Sequence, residues 1–422
     1  MSERTDPLRM ERTTLPSGLE LVLQAAPASA RSFSLSYVTP SGWGFEPSAA
    51  SGLAMMTGKL VVGRPGKRSR EELARTLDRL GAALTSTVDP ESAELTLWGP
   101  QDSWTPLLGV FADAIFRPYF ARDELQRALR QLRERQLRQR VQPDLRAEQE
   151  FLSGVFPPGH PYHSTGVGTP KTAARISLEG IRRFHRTHYP ARGSVLVVTG
   201  RLSPQAVKRD LAPHFRSEEL HADPPLPSVP AASPRSRRRD VMIKGQSQVA
   251  IRIGASSVAR SDPTYPELFL ANEVLGGRPL LSRLFQRIRE KHGLAYHASS
   301  ELEAMRWGGY WEAMAGTDPA TRDRVVDLVL QEIDRLSSDL IPSTELTRIR
   351  ESTLGTLPLE LDTTASAHEL ALEVAYHRLP GDFFRSWPDR LRRLRPRDLR
   401  AAAEARFTSD RAVVVTAGPP AK

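Results

Sequence analysis

Apolar and polar positions follow two periods along the chain, and each period predicts a type of element. Residues 32–38 alternate apolar and polar side chains, which predicts a strand with one buried face. In residues 124–140, leucines recur at three- and four-residue steps among charged side chains, which predicts a long amphipathic helix. The apolar run at 194–200 is typical of a strand that is buried on both faces. The chain therefore combines strands with amphipathic helices.

The second half of the chain repeats these patterns. Residues 246–253 resemble the strand at 32–38, and the apolar run at 412–418 resembles the one at 194–200. A repeat of this length indicates two duplicated domains rather than a solenoid. The stretch 223–240 holds five prolines and then an arginine cluster, which predicts a stiff linker. We therefore expect an N-terminal domain at 1–222, a linker at 223–240 and a C-terminal domain at 241–422.

Composition excludes several classes of function. The chain of 422 residues contains no cysteine, so any metal would need histidine and carboxylate ligands. His368, Glu373 and His377 are five and four residues apart, steps that do not bring them to one helix face. The formal net charge of +10 comes largely from scattered arginines without interleaved aromatic residues, so nucleic acid is not the expected partner. No apolar run predicts a signal peptide or a membrane span, and we expect a cytoplasmic protein.

The stretch 275–300 contains the most suggestive pair of polar residues. Apolar residues at helical spacing from 281 to 288 predict a helix, which Gly293 ends. Arg289 then lies at the end of this helix and Tyr296 at the start of a strand. A guanidinium group offers a planar fork of donors, and a phenol can donate to a developing negative charge. The spacing alone leaves open a surface arginine and a core tyrosine without any catalytic role.

The same stretch resembles the C-terminal signature of the M16 family of zinc metallopeptidases, which includes pitrilysin, insulinase and the mitochondrial processing peptidase. The family pattern is roughly LGGG-x-SRLF-x-x-LRE-x-x-GLAY, and this chain keeps Gly276-Gly277, the SRLF at 282–285, Arg289-Glu290 and the GLAY that ends at Tyr296. The resemblance implies an α+β fold of two homologous domains, each a mostly antiparallel sheet with helices on one face. It also implies that Arg289 and Tyr296 contact the substrate and the transition state.

The zinc motif of the family, H-x-x-E-H, is degenerate in this chain. In step with Gly52-Leu53-Ala54, Met55 stands at the first histidine, Gly58 at the glutamate and Lys59 at the second histidine. The third ligand of the family, a glutamate about 75 residues later, corresponds to Glu134. A thioether, a bare backbone and an ammonium group can neither bind zinc nor act as a general base. We therefore expect no metal on this chain and no hydrolysis by the chain alone.

A hairpin around 89–90 corresponds to the edge strand with which the family pairs its substrate. An exposed strand edge can bind an extended peptide through backbone hydrogen bonds. The family has Asn-Ala at this place, and this chain has Thr85-Ser86. This difference leaves the substrate-pairing role of the edge open.

The chain keeps the Arg/Tyr pair of the family and lacks its zinc motif, and this combination predicts a particular role. Two-chain members of the family divide the work: one subunit carries H-x-x-E-H with zinc, and the other supplies the Arg/Tyr pair. The expected function is therefore that of the non-zinc, substrate-binding subunit of a heterodimeric M16-type peptidase, which helps a zinc-bearing partner hydrolyse peptides. The alternative is a scaffold or binding protein that uses the M16 fold without proteolysis.

Overall fold

The computed structural model of the protein describes residue 8, residues 10–232 and residues 236–420. Positions 233–235 of the predicted linker lie outside the described residues. The described chain forms two compact units, of which the first comprises residues up to 136, 166–227 and 358–386, and the second 137–165, 228–357 and the residues from 387 onwards. Each unit thus takes a segment from the other half of the chain, while the boundaries expected at 1–222 and 241–422 remain a prediction.

A six-stranded sheet forms the centre of the first unit. Its strands are β1 (Glu11–Thr14), β2 (Glu20–Ala25), β3 (Ser32–Thr39), β4 (Ala83–Val88), β5 (Ala93–Pro100) and β6 (Val195–Gly200). They lie in the order β1-β2-β6-β3-β5-β4, and β2 pairs in parallel with β6 while the other pairs are antiparallel. Every residue of β6 is buried, as its apolar run predicts.

The second unit contains a five-stranded sheet with the corresponding order. Its strands are β7 (Arg237–Met242), β8 (Val249–Ser257), β9 (Ala295–Met305), β10 (Gly308–Thr317) and β11 (Val413–Gly418). They lie in the order β7-β11-β8-β10-β9, and again one pair, β7 with β11, is parallel. The predicted α+β class, with two similar and mostly antiparallel sheets, is confirmed.

Fourteen α-helices are found among the described residues. They are α1 (Leu53–Val61), α2 (Arg70–Leu80), α3 (Trp104–Phe116), α4 (Arg122–Val141), α5 (Pro143–Val155), α6 (Pro170–Ala173), α7 (Leu178–His188), α8 (Pro204–Leu211), α9 (Tyr265–Asn272), α10 (Arg322–Ser338), α11 (Ser343–Thr356), α12 (Thr364–Tyr376), α13 (Phe383–Arg393) and α14 (Pro396–Arg406). Two segments, Glu273–Gly277 and Phe285–Lys291, have π-helical hydrogen bonding.

Helices cover both faces of the first sheet, which adds one element to the expected single helical layer. Leu35 and Tyr37 of β3 point into the main core, whereas Ser36, between them, points to the opposite face. There α12 packs on the sheet through His368, whose Nε2 lies 2.8 Å from Ser36 Oγ and whose Nδ1 lies 2.9 Å from Thr199 Oγ1. The buried imidazole is thus hydrogen-bonded at both ring nitrogens, as a buried polar group must be.

The second sheet is covered in the same way by α5. Phe151 and Val155 of this helix form a core cluster with Val413 and Val415 of β11. On the same face, Arg252 lies 2.6 Å from Glu312 and 3.2 Å from Asp144 at the start of α5. This buried ion pair has both partners in place, which offsets part of the cost of removing the charges from water.

The His368 contact makes the stability of the first unit depend on pH. Burial lowers the pKa of His368 to about 3, whereas the unfolded side chain titrates near its ordinary pKa of about 6.5. The unfolded state therefore binds more protons as the pH falls below about 6.5, and stability is lost in that direction. We expect His368 alone to lower the free energy of unfolding by about 2 kcal/mol between pH 7 and pH 5.

The variant His368→Gln tests this expectation, because an amide can bond both hydroxyls but does not titrate. Chemical denaturation at pH 7 and pH 5 should give a smaller loss of stability for the variant than for the natural chain. Equal losses in the two proteins would show that His368 does not contribute to acid sensitivity.

Candidate functional site

Helix α1, which contains Met55, Gly58 and Lys59, is held in place at its start by the carboxylate of Glu46. Gly52 begins α1 with a left-handed backbone, φ 102°, and Glu46 accepts hydrogen bonds from the N–H groups of Gly52 and Ala54 at 2.9 and 2.8 Å. Burial raises the pKa of Glu46 to about 7, although these two hydrogen bonds act in the opposite direction. A carboxylate at this end of a helix also interacts favourably with the helix dipole.

Met55, Lys59 and Glu134, which the sequence analysis assigned to zinc-motif positions, have different surroundings in the structure. Met55 is half-buried and packs against the core of the first unit. Lys59 is exposed, and its Nζ donates a hydrogen bond to Oε1 of Gln131 on α4. Glu134, one turn further along α4, is exposed and forms no ion pair with any described residue. The contact therefore joins Lys59 to Gln131, and the assignment of Glu134 as the third position stays a prediction.

Sequence reasoning missed Gln131 for a simple reason. The family spacing, counted from Lys59, ends at Glu134, which is three residues away from Gln131 on the same helix. An amide among many exposed polar residues of α4 carries no signal of its own. The hydrogen bond becomes visible when α1 and α4 are placed side by side.

Gly58 lies where no side chain fits. A Cβ atom at this position would be 2.5 Å from Val88 Cγ2, 3.1 Å from Ser86 Oγ and 3.4 Å from Tyr189 Oη. Protein interiors are close-packed, so the first of these distances requires a neighbour to move. The packing of α1 against β4 thus leaves no room for a side chain at position 58.

These residues do not fit a zinc ion. A thioether is a poor ligand for zinc, an ammonium group repels a cation, and Gly58 offers no side chain. Within residues 10–232 and 236–420, no three histidine or carboxylate side chains are grouped so that they could hold a metal.

The predicted substrate edge is an edge strand in the structure. β4 is the last strand of its sheet and pairs with β5, with Thr85 opposite Thr96 and Ser86 opposite Leu95. Thr85 is exposed, whereas Ser86 is half-buried toward α1. An edge of this kind can accept a further strand through its backbone. A substrate role for Thr85 and Ser86 remains a prediction.

Arg289 and Tyr296 lie against each other at the edge of the second sheet. The guanidinium carbon of Arg289 is 4.8 Å from the ring centre of Tyr296 and 4.9 Å from that of Phe285. Tyr296 is 77% exposed on β9, the edge strand. Its hydroxyl has no hydrogen-bond partner among the described residues. The two rings hold the guanidinium group by cation–π contacts, and the phenol is left free to donate.

Two helical segments pack near the start of β9 and position this edge. The π-helical segment Phe285–Lys291 ends at Gly293, which has a φ of 61°. The segment that contains Gly276 lies directly on β9, because a Cβ at Gly276 would be 2.3 Å from the nitrogen of Ser300. Gly276 and Gly277 do not have positive φ angles. Gly276 instead allows a close approach to the strand.

Two stretches of the chain match domains of a known peptidase family. The family described as insulinase (peptidase family M16) matches residues 22–153, and that of the peptidase M16 inactive domain matches residues 175–353. The chain belongs to the M16 peptidase family. The Arg289–Tyr296 contact lies in the part that matches the inactive domain.

Individual M16 proteins are similar over most of their length. The chain is 26% identical to an uncharacterised zinc protease of Streptomyces coelicolor over 85% of this chain and 78% of that protein. An M16 inactive-domain structure from Pseudomonas fluorescens has a TM-score of 0.89 and 22% identity, and covers 98% of this chain and 100% of that one. A chain of complex III2 from Candida albicans has a TM-score of 0.77 and 17% identity over 97% and 95% of the two chains.

In the part of the chain that the structure describes, no helix is both long enough and apolar enough to cross a bilayer.

The close contact at Gly58 predicts a measurable cost of adding one methyl group. Gly58→Ala should lower the free energy of unfolding by about 1–3 kcal/mol, because the new Cβ meets Val88. In a Val88→Ala background the same change should be neutral or stabilising by up to about 1 kcal/mol, since alanine favours helix. Urea denaturation of the four proteins gives the coupling between the two sites.

Gly109 supplies the matched control, because it also lies within a helix, α3, but its Cβ would meet only His214, at 3.8 Å. Gly109→Ala should stabilise by roughly 0.5–1 kcal/mol. If Gly58→Ala stabilised to the same extent, the packing explanation for the glycine at position 58 would be wrong.

Proposed function

We propose that this M16 chain is the non-zinc, substrate-binding subunit of a heterodimeric peptidase. In this proposal the partner carries H-x-x-E-H and its zinc, and the two chains together hydrolyse peptides. The main support is the arrangement at the β9 edge. Tyr296 is 77% exposed and Arg289 is held between two aromatic rings, while Met55, Gly58 and Lys59 cannot replace the zinc motif. A cytoplasmic location belongs to the same proposal and rests on the sequence.

The proposed roles follow from the chemistry of the two side chains. Arg289 donates from its guanidinium fork to a carbonyl oxygen of the bound peptide, and the two rings limit the positions that it can take. Tyr296 donates its O–H to the carbonyl oxygen that becomes negative as the tetrahedral intermediate forms. A donor placed at that oxygen stabilises the transition state more than the ground state.

A scaffold or binding role without proteolysis is the second candidate. The observation that favours it is the closed packing of Gly58 against Val88 and Ser86, together with the loss of Asn-Ala at Thr85-Ser86. The fold is shared with a chain of complex III2. The two candidates differ in one respect: the first requires a partner with a complete zinc motif.

Purification of the tagged chain from its native host should therefore bring down a second M16 protein in a one-to-one ratio. Mass spectrometry of the bound proteins identifies it, and its sequence should contain H-x-x-E-H and a later glutamate. Recovery of the chain alone, or with proteins that lack this motif, would contradict the heterodimer and favour the scaffold.

The role of Tyr296 can be tested on the reconstituted pair. Tyr296→Phe removes the donor and leaves the ring on Arg289, so kcat for peptide cleavage should fall about 10²–10³-fold. Complex formation should not change, because the variant keeps the aromatic ring and its contact with Arg289.

Tyr119→Phe is the matched control, since Tyr119 is 53% exposed and lies under Arg64, whose guanidinium carbon is 4.6 Å from its ring centre. This variant should cleave peptides at the natural rate. A Tyr296→Phe pair that is as active as the Tyr119→Phe pair would rule out a catalytic contact by Tyr296.

A further inference from the structure

A cavity of about 480 Å³ opens at the β1 edge of the first unit, away from both α1 and β4. Its lining comes from three parts of the sequence: the β1–β2 hairpin, the residues before β6 and a residue two positions after the end of α12. Each part contributes an arginine, and these are Arg12, Arg192 and Arg378. Three arginines line one opening, which makes this a site of positive charge.

Only one of the three arginines is engaged by a carboxylate. Arg12 forms an ion pair with Glu20 and also donates to the carbonyl oxygen of Leu379 at 2.5 Å. Among the described residues, the guanidinium groups of Arg192 and Arg378 have no ion-pair or hydrogen-bond partner. Asp223 is the other nearby acid, and it accepts a hydrogen bond from the N–H of Gly193. The donors of two arginines are therefore available to a ligand.

Arg378 occupies a backbone position that glycine normally takes. Its φ is 54°, and it follows α12 in a Schellman turn, in which Leu379 N–H bonds to Val374 C=O at 2.9 Å and Arg378 N–H to Ala375 C=O at 3.3 Å. Such a residue in the left-handed region is strained unless it is glycine. Strain of this kind is concentrated at functional sites, where a particular side chain is required.

We propose that this cavity binds a phosphate group, either inorganic phosphate or the phosphate of a small monoester. Arginine recognises phosphate and carboxylate through its planar fork of donors. A planar carboxylate presents its acceptor atoms in one plane, whereas a phosphate has oxygens in several directions and can accept from three separate chain segments. The lining of three arginines and one glutamate suits a dianion. The site is independent of the proposed peptidase role.

Isothermal titration calorimetry of the full-length chain with inorganic phosphate, at low and constant ionic strength, tests the proposal. Binding should saturate with one site per chain. Arg192→Ala and Arg378→Gly should each weaken it by roughly tenfold or more, since each removes a charge-assisted contact. Glycerol 3-phosphate as a second ligand distinguishes a monoester from free phosphate by which of the two binds more tightly. Acetate should bind much more weakly than either.

Two controls separate binding from stability and from general charge. Arg378→Gly should unfold at the same temperature as the natural chain or higher, because glycine relieves the strained φ. Arg79→Ala removes an exposed arginine of α2, outside the cavity, and should leave phosphate affinity unchanged. Unchanged affinity in Arg378→Gly and Arg192→Ala, equal loss in Arg79→Ala, or equal binding of acetate would each overturn the proposal.

Discussion

The central strands β6 and β11 are buried on both faces, and the rest of the structure depends on that constraint. The six residues of β6 and the six residues of β11 are all buried. A sheet of this kind needs a helical layer on each side, and in each unit the second side is covered by one helix from a distant part of the chain. This is why each compact unit is discontinuous in sequence, and why polar groups on the covered faces, such as His368 and Arg252, take their hydrogen-bond and ion-pair partners from their own unit.

The sequence predicts many of the strands and helices, but it does not predict how the helices pack on the sheets. The apolar runs at 194–200 and 412–418 predict buried strands because continuous burial leaves no polar positions, and both are buried strands. An amphipathic pattern, in contrast, shows that a helix has an apolar face but not which sheet receives it. The coverage of β11 by α5 and of β6 by α12 therefore became visible only in the structure. The seven residues of Phe285–Lys291 form a π-helix, a distinction that hydrophobic spacing cannot resolve.

The candidate site shows the same limit at the level of single residues. Spacing and the family signature lead to Arg289 and Tyr296, and the structure places these two side chains in contact. Counting residues leads to Glu134, yet Lys59 contacts Gln131, since a count carries no information on how α1 and α4 are aligned. The glycines are the clearest case: Gly58 and Gly276 each let a helical segment approach an edge strand, β4 in one unit and β9 in the other. A glycine in a sequence does not reveal whether it serves a turn or a close contact.

The two edges differ in what the fold requires of them. At β4, Gly58 is needed for packing, so any side chain at this position would disturb the core of the first unit. At β9, the exposed ring of Tyr296 and the half-buried Arg289 contribute little to the core, because a surface contact of this kind stabilises by only about 0.5–1 kcal/mol. Packing therefore accounts for the glycine at position 58 but not for the contact of an arginine with a tyrosine at an open edge. A function of this chain that uses only its fold would leave that contact unexplained, whereas a function that binds a peptide at β9 uses both donors.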